Sequence, residues 1–434
     1  MPRGSSSDRV VDDDVVTRSG AAGSPPGHVA RRGLALVHPC RRGERLTRVG
    51  RARAGDLPDE SHIRDGRTCT VCTDGGARRA PGGVGRAGAV SVADVTSPAS
   101  STTDSSRAAA PLVIAHRGAS GYRPEHGEAA YRLAVELGAD AIEPDLVATR
   151  DGVLVLRHEN EVSGTTDVAD RPEFADRRTT KEIEDRVVEG WFTEDFTWPE
   201  LSTLRVRERL PQLRPGSAAH DGEGRVQRLS DLLAILDGAD RPVGLVAEVK
   251  HATWFASIGL PLDELLAAEL AAAGWTDDPR LTVESFEQTV LGQLRERGVG
   301  GRQVYLLEKA GAAADLVARD GSAATPYVDQ LDEASLAGFA AAGLHGVSLD
   351  KSTLVAPDGT TESRVVDRSH AAGLEVFTWT LRVENHFLAK ANRQAGGKAA
   401  TGDYESEFQA LMELGVDGVF ADQPDLAIAV RDGL

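Results

Sequence analysis

The segment Ile142-Glu143-Pro144-Asp145-Leu146 sets two carboxylates at i and i+2 of an otherwise apolar run. In a strand those positions share a face, so Glu143 and Asp145 stand side by side. Burying two like charges is costly unless a cation or hydrogen-bond donors compensate. A hard divalent ion such as Mg²⁺ or Ca²⁺ is the natural partner of oxygen ligands; a surface strand with two solvated acids is the other reading of the same residues. The segment Leu245-Val246-Ala247-Glu248-Val249-Lys250 repeats the device with opposite charges. Glu248 can complete a three-carboxylate metal site and Lys250 can bind a phosphate oxygen, or the two form a plain ion pair. His116 follows one apolar run, Leu112-Val113-Ile114-Ala115, and His158 follows another, Leu154-Val155-Leu156, after Arg157. An imidazole with a free pKa of about 6.5 can both take and give a proton near neutrality, although either histidine alone fits a structural role. Trp379 in Thr378-Trp379-Thr380 can line a substrate wall or belong to a core.

These residues need a frame that brings them to one place. From Pro111 onward an amphipathic helix, a glycine and an apolar strand recur. Ala130, Leu133, Ala134 and Leu137 fall on one helical face before Gly138, whose tolerance of left-handed backbone suits a helix end. The same order returns at Gly298, Gly343, Gly373 and Gly415. The pattern predicts nine strands, at 112–115, 141–147, 153–157, 244–249, 281–285, 303–307, 346–349, 375–380 and 417–421. Alternation of strands and helices implies a parallel sheet. The second and third runs are joined only by Thr149-Arg150-Asp151-Gly152, a hairpin signal too short for a parallel crossover. Setting aside the hairpin's return strand leaves eight, the number that closes a (β/α)8 TIM barrel, whose active sites sit at the C-terminal ends of the strands. The hairpin then returns His158 to the rim that carries Glu143 and Asp145, and His116 reaches that rim from the adjacent first strand. A doubly wound sheet is the alternative, but no GxGxxG loop follows the first strand. Residues 160–240 break the rhythm with polar sequence around Trp191, Phe192, Phe196 and Trp198 and one clear helix, Ser230 to Gly238; they are expected to form an insertion over the barrel mouth. Residues 386–404 are expected to form a second loop there.

Charge is unevenly placed. Residues 1–110 carry 17 arginines, no lysine and 12 acids, a balance of +5, which leaves −23 on residues 111–434. So acidic a body argues against nucleic-acid partners, which need basic surface, but not against a small anionic substrate met by local cations. Cys40, Cys69 and Cys72 all precede the strands, so the body needs no disulfide. Residues 1–110 have no aromatic side chain and no sustained period; they are expected to be a disordered extension or translated sequence upstream of the true start, leaving 111–434 as the folded domain. Gly33-Leu34-Ala35-Leu36-Val37 is too short for the apolar core of a signal peptide, so a cytoplasmic location is expected, with secretion left open if the true start differs. No run of about 18 apolar residues appears, so no integral membrane segment is expected; a homodimer is compatible with these features.

The stretch Ile114-Ala115-His116-Arg117-Gly118-Ala119-Ser120-Gly121-Tyr122, with Pro124-Glu125-His126 after it, resembles the opening signature of the glycerophosphodiester phosphodiesterases, most closely a bacterial subgroup that is often periplasmic. Glu143-x-Asp145, Thr149-x-Asp151-Gly152, His158, Thr166-Asp167-Val168, Glu248-x-Lys250, Ser285-Phe286, Trp379-Thr380 and Asp417-Gly418-Val419-Phe420 follow in that family's order, over about residues 112–430. The resemblance implies a TIM barrel with an insertion after the hairpin. It implies His116 and His158 as an acid–base pair, Glu143, Asp145 and Glu248 as ligands of one divalent ion, Ca²⁺ or Mg²⁺, and Arg117 and Lys250 as phosphate contacts. The substrate would be a small glycerophosphodiester, cleaved to glycerol 3-phosphate and an alcohol. The chain departs from the family pattern at Glu159, where Asp is usual, at Gly127, where Thr is usual, and at Pro144 between the two acids. Two rivals stand beside this reading: a related metal-dependent phosphodiesterase acting on lysophospholipids, and a non-catalytic binding protein on the same scaffold. Deleting roughly the first hundred residues is expected to leave Tm and turnover nearly unchanged, since that segment has no apolar face to offset the entropy of ordering; a large loss of either shows a folded segment there.

Overall fold

The computed structural model describes residues 110–434 apart from Asp185. The expectations for the amino-terminal extension and its cysteines fall on residues 1–109 and so lie outside the described residues. The apolar runs form the strands β1 (Leu112–His116), β2 (Ala141–Glu143), β3 (Asp145–Ala148), β4 (Leu154–Leu156), β5 (Thr179–Ile183), β6 (Arg186–Gly190), β7 (Gly244–Val249), β8 (Leu281–Ser285), β9 (Arg302–Leu307), β10 (Gly346–Asp350), β11 (Glu375–Leu381) and β12 (Gly418–Ala421). The expected second strand is split in two at Pro144, which has no N–H to donate. Its carbonyl still accepts a bond from Glu248 N at 3.0 Å, so the ladder to β7 runs on across the break.

The sheet closes. Its order is β2-β1-β12-β11-β10-β9-β8-β7-β3, and β7 pairs with both β2 and β3. With β2 and β3 counted as one strand this is an eight-stranded parallel barrel with helices between the strands, a (β/α)8 fold. Inside it Ile114, Ala141, Val246, Val304, Phe377 and Phe420 form a separate apolar cluster capped by Trp379, while the alternate residues Val113 and Ala115 of β1 join the larger core. Each helix-to-strand glycine named above has φ between 80° and 93°. Gly138 follows the helix Glu128–Glu136 and its cap Leu137, at the point where the chain must leave the helical path.

The hairpin is present as well. β4 runs antiparallel to β3 with Ala148 opposite Leu154 and Leu146 opposite Leu156, and Arg157 N then bonds Asp145 O at 3.0 Å. That register carries His158 back beside the Glu143–Asp145 segment.

Residues 157–243 separate β4 from β7. They hold the antiparallel pair β5–β6, which sequence patterning missed because both strands are largely exposed and lack an apolar alternation. They also hold the helix Leu229–Asp237. Phe174, Trp191 and Phe196 of this segment pack into the main core, and the Arg177 guanidinium lies 5.2 and 4.9 Å from the Phe174 and Phe196 ring centroids. Arg157 ties the segment down. Fully buried, it donates from Nε to Leu156 O (2.7 Å), from Nη1 to Thr165 O (3.2 Å) and from Nη2 to Glu125 O (2.8 Å). Arg214 joins the segment to Glu384, just before the second irregular loop, at 2.6 Å. Among the described residues no helix is long and apolar enough to cross a membrane. Thr165 O also accepts from Arg207 N at 2.8 Å, so replacing Arg157 with Leu takes the side-chain donor from the carbonyls of Leu156 and Glu125 without a substitute, at about 1–3 kcal/mol for each acceptor left unpaired. Arg157→Leu is therefore expected to lower the unfolding free energy in urea by at least about 2 kcal/mol, and a change under about 1 kcal/mol shows that this guanidinium is no clamp.

Candidate active site

Register builds the site. β1 and β2 pair with His116 opposite Glu143, β3 and β7 with Asp145 opposite Glu248, and β7 and β8 with Glu248 opposite Glu284. The carboxylates of Glu143, Asp145 and Glu248 each offer an oxygen within 4.8 Å of the others, and all three side chains are buried. The loop after β1 wraps this cluster. Arg117, in left-handed backbone at φ 58°, donates its N–H to Glu143 Oε2 at 2.8 Å and sets Nε 3.2 Å from Asp145 Oδ2. Gly118 follows at φ 83°, where a Cβ would sit 2.8 Å from the carbonyl carbon of Ala130, so only glycine lets the loop pass the helix Glu128–Glu136. Lys250 Nζ lies 2.7 Å from Glu248 Oε1 and 3.7 Å from Asp145 Oδ1.

These charges strain one another. Burial, and then Asp145 and Glu248, push the Glu143 carboxyl well above its ordinary range; burial pushes Glu248 up to about 7. Burial opposes the charge on Asp145 too, but His158, Lys250 and Arg117 around it hold it well below the usual value. Lys250 is displaced upward, the carboxylates Glu248 and Asp145 outweighing its burial. Glu143 Oε1 and Asp145 Oδ1 are buried with no hydrogen-bond partner among the described residues. Orphaned acidic oxygens on an all-oxygen donor set fit a hard divalent cation, which Glu143, Asp145 and Glu248 can hold together.

Each candidate histidine is fixed by a carboxylate at Nδ1. His116 Nδ1 is 2.6 Å from Asp422 Oδ1, just beyond β12, and Asp422 Oδ2 also receives Arg382 Nε (2.8 Å) and Arg214 Nη2 (2.5 Å). His158 Nδ1 is 2.7 Å from Glu159 Oε1. An ionised carboxylate can only accept, so in both rings Nδ1 carries the proton and Nε2 is the basic nitrogen. Burial, then Arg117, push His116 down to about 4. Burial, Arg117 and Lys250 push His158 down as well. Trp379 is half-buried at the end of β11, edge-on to Phe286 at 5.7 Å, and Lys250 Nζ lies 5.3 Å from the Phe286 centroid. His116, Arg117, Glu143, Asp145, His158, Glu248, Lys250 and Trp379 thus gather at one end of the barrel.

Sequence reasoning missed their supports. His126 is fully buried: Nε2 donates to Asp145 Oδ2 (2.9 Å) and Nδ1 accepts from the Tyr131 hydroxyl (2.8 Å). It stood in the quoted signature with no role attached. Glu284 is a fourth buried acid, with an oxygen that has no partner among the described residues, and its place in the apolar run of β8 was the same signal that exposed Glu248. Asp422 could have been found from its position just past a strand end. Arg209 and Arg214 lie in polar, patternless sequence that gave no signal.

Residues 116–426 match the glycerophosphoryl diester phosphodiesterase family. A glycerophosphodiester phosphodiesterase of Arabidopsis thaliana is 29% identical over 330 residues, which cover 72% of this chain and 83% of that protein. One of Haemophilus influenzae is 31% identical over 157 residues, covering 33% of this chain and 40% of that protein. Among solved structures, a protein from Silicibacter pomeroyi assigned as a glycerophosphoryl diester phosphodiesterase superposes with a TM-score of 0.54 at 21% identity, over 74% of this chain and 93% of that one, a likeness of fold. A family match that runs through the barrel and every strand end lining its mouth makes this chain a member of the glycerophosphoryl diester phosphodiesterase family, and so an enzyme that hydrolyses phosphodiesters.

Proposed function

We propose that the enzyme hydrolyses glycerophosphodiesters to glycerol 3-phosphate and an alcohol, with His116 and His158 as its acid–base pair. The observation that carries this is the matched construction of the two imidazoles. Each has Nδ1 held by a carboxylate, at 2.6 and 2.7 Å, and both stand beside the buried acids Glu143, Asp145 and Glu248. Two imidazoles with fixed orientation, one to take a proton and one to give it, beside acids that can hold a charge-stabilising cation fit an in-line displacement at phosphorus.

Arg117 and Lys250 would contact the phosphoryl oxygens, their charges set against those of the acids beneath. One histidine takes the proton of the nucleophile, either water or the substrate's own glycerol hydroxyl, at Nε2. The other must enter the step as the imidazolium, protonated at Nε2 as well as Nδ1, and gives its Nε2 proton to the leaving alkoxide. Glu143, Asp145 and Glu248 would hold one divalent cation, Ca²⁺ or Mg²⁺, which when bound stabilises negative charge growing on the phosphoryl group. Trp379 and Phe286 would form an apolar wall for the carbon skeleton of the substrate.

General acid–base groups contribute about 10²–10⁴-fold in rate. His116→Ala and His158→Ala are each expected to lower kcat on glycerophosphocholine by at least about 10²-fold with circular dichroism unchanged. An analogue that releases a low-pKa phenol should rescue the variant lacking the general acid far more than the other; if neither is rescued, no dedicated general acid exists. A second expectation concerns the cation. Exhaustive EDTA dialysis should abolish turnover, and re-added Ca²⁺ or Mg²⁺ should restore it; full turnover in a preparation with no detectable metal sinks the three-carboxylate site.

A further inference from the structure

We propose that Arg209, a residue of the insertion, is a positioning residue for His158. It locks Glu159 against the imidazole, so docking of the insertion and the competence of that histidine are one event. The proposal rests on the acid–base reading of His158 given above and goes on to say what that histidine depends on.

The argument starts from the fork of the guanidinium, a rigid plane of five donors that can meet a carboxylate with two parallel bonds. Arg209 uses both of its edges. On one side Nη1 lies 2.7 Å from Glu159 Oε1 and Nη2 lies 2.7 Å from Glu159 Oε2. On the other, Nε lies 2.8 Å from Glu125 Oε2 and Nη2 lies 2.7 Å from Glu125 Oε1. The side chain is only 12% exposed. Glu159 Oε1 is the same oxygen that receives His158 Nδ1. A glutamate has three rotatable bonds, so a single contact to an imidazole does not fix its plane; the two bonds from Arg209 do. Burial alone would raise the carboxyls of Glu125 and Glu159, yet Arg209 beside them holds both well below their ordinary range, so both remain acceptors.

The opposite histidine shows the same construction with one difference. Asp422, which holds His116, is gripped by Arg214 from the insertion and also by Arg382 from the end of β11. Among the described residues Glu159 receives a guanidinium from Arg209 alone. The insertion thus supplies one arginine to each histidine–carboxylate pair, and only for His158 does it supply the sole one. The far end of the link reaches the phosphate side of the site, because Glu125 Oε2 also receives Arg117 Nη1 at 3.2 Å.

The test is a pair of double-mutant cycles measured on glycerophosphocholine. Arg209→Gln is expected to lower kcat by about 10–100-fold while KM stays within about two-fold, the effect typical of losing a group that orients a reacting one. Arg209→Lys should recover little, since an ammonium offers a point charge and no fork. In a His158→Ala background Arg209→Gln should cost nothing further, whereas in a His116→Ala background it should still cost its own factor. Glu159→Gln, which keeps shape and removes charge, should give the same pattern, and it carries the test if Arg209→Gln does not fold by circular dichroism. Turnover of Arg209→Gln within about two-fold of the parent, or an equal loss in both histidine backgrounds, overturns the proposal. Near-normal turnover of His158→Ala overturns the acid–base reading beneath it, a separate failure read from a separate variant.

Discussion

Everything at the mouth of this barrel answers to one constraint: four carboxylates, Glu143, Asp145, Glu248 and Glu284, are buried at the end of an apolar cylinder. Charges out of water demand partners. The protein answers with Lys250 and Arg117 on the inner face, with the backbone N–H of Arg117 on Glu143, and with His126 on Asp145. It leaves Glu143 Oε1, Asp145 Oδ1 and Glu284 Oε2 unanswered among the described residues. The left-handed turn at Arg117 and Gly118, the close pass over Ala130 and the split strand at Pro144 all serve to bring donors to that cluster at the right height.

A second tier of charge surrounds the first. Each histidine leans on a carboxylate, each carboxylate leans on a guanidinium, and the guanidinium sits in turn between two acids, as Arg209 does between Glu125 and Glu159 and Arg214 between Asp422 and Glu384. Alternating signs over buried distances make the imidazole orientations a property of the whole ring rather than of any single contact. The ring is drawn from β1, β4, β11 and β12 and from the insertion, so the mouth forms only once strands and insertion have come together.

Much of this was legible beforehand, for reasons that can be named. Strands of a parallel barrel are buried on both faces and read as apolar runs, so a charged residue inside one stands out; Glu143, Asp145, Glu248 and Lys250 were visible on that ground. Asp151-Gly152 announced the hairpin because few sequences tolerate so tight a reversal, and Gly152 has φ 77°. The β5–β6 pair could not be seen, since nothing in Thr179–Ile183 or Arg186–Gly190 alternates between apolar and polar. Arg209 and Arg214 could not be seen either: their partners Glu125, Glu159, Glu384 and Asp422 lie between 50 and 208 positions away, and no local period encodes a contact of that range. Glu284 was legible and was overlooked, which marks the difference between a missing signal and an unread one.

The three carbonyl bonds of Arg157 have a consequence for how substrate reaches the acids. They anchor Leu156 at the barrel edge, Thr165 in the insertion and Glu125 in the loop after β1 to one fully buried guanidinium. Lifting the insertion at Thr165 would break a buried bond to this guanidinium, which stays with β4, so opening at that point is costlier than at the solvated loops from which lids are drawn. The stretch around Thr165 thus serves as a fixed wall of the mouth, and any movement that admits substrate is expected to hinge elsewhere in the insertion.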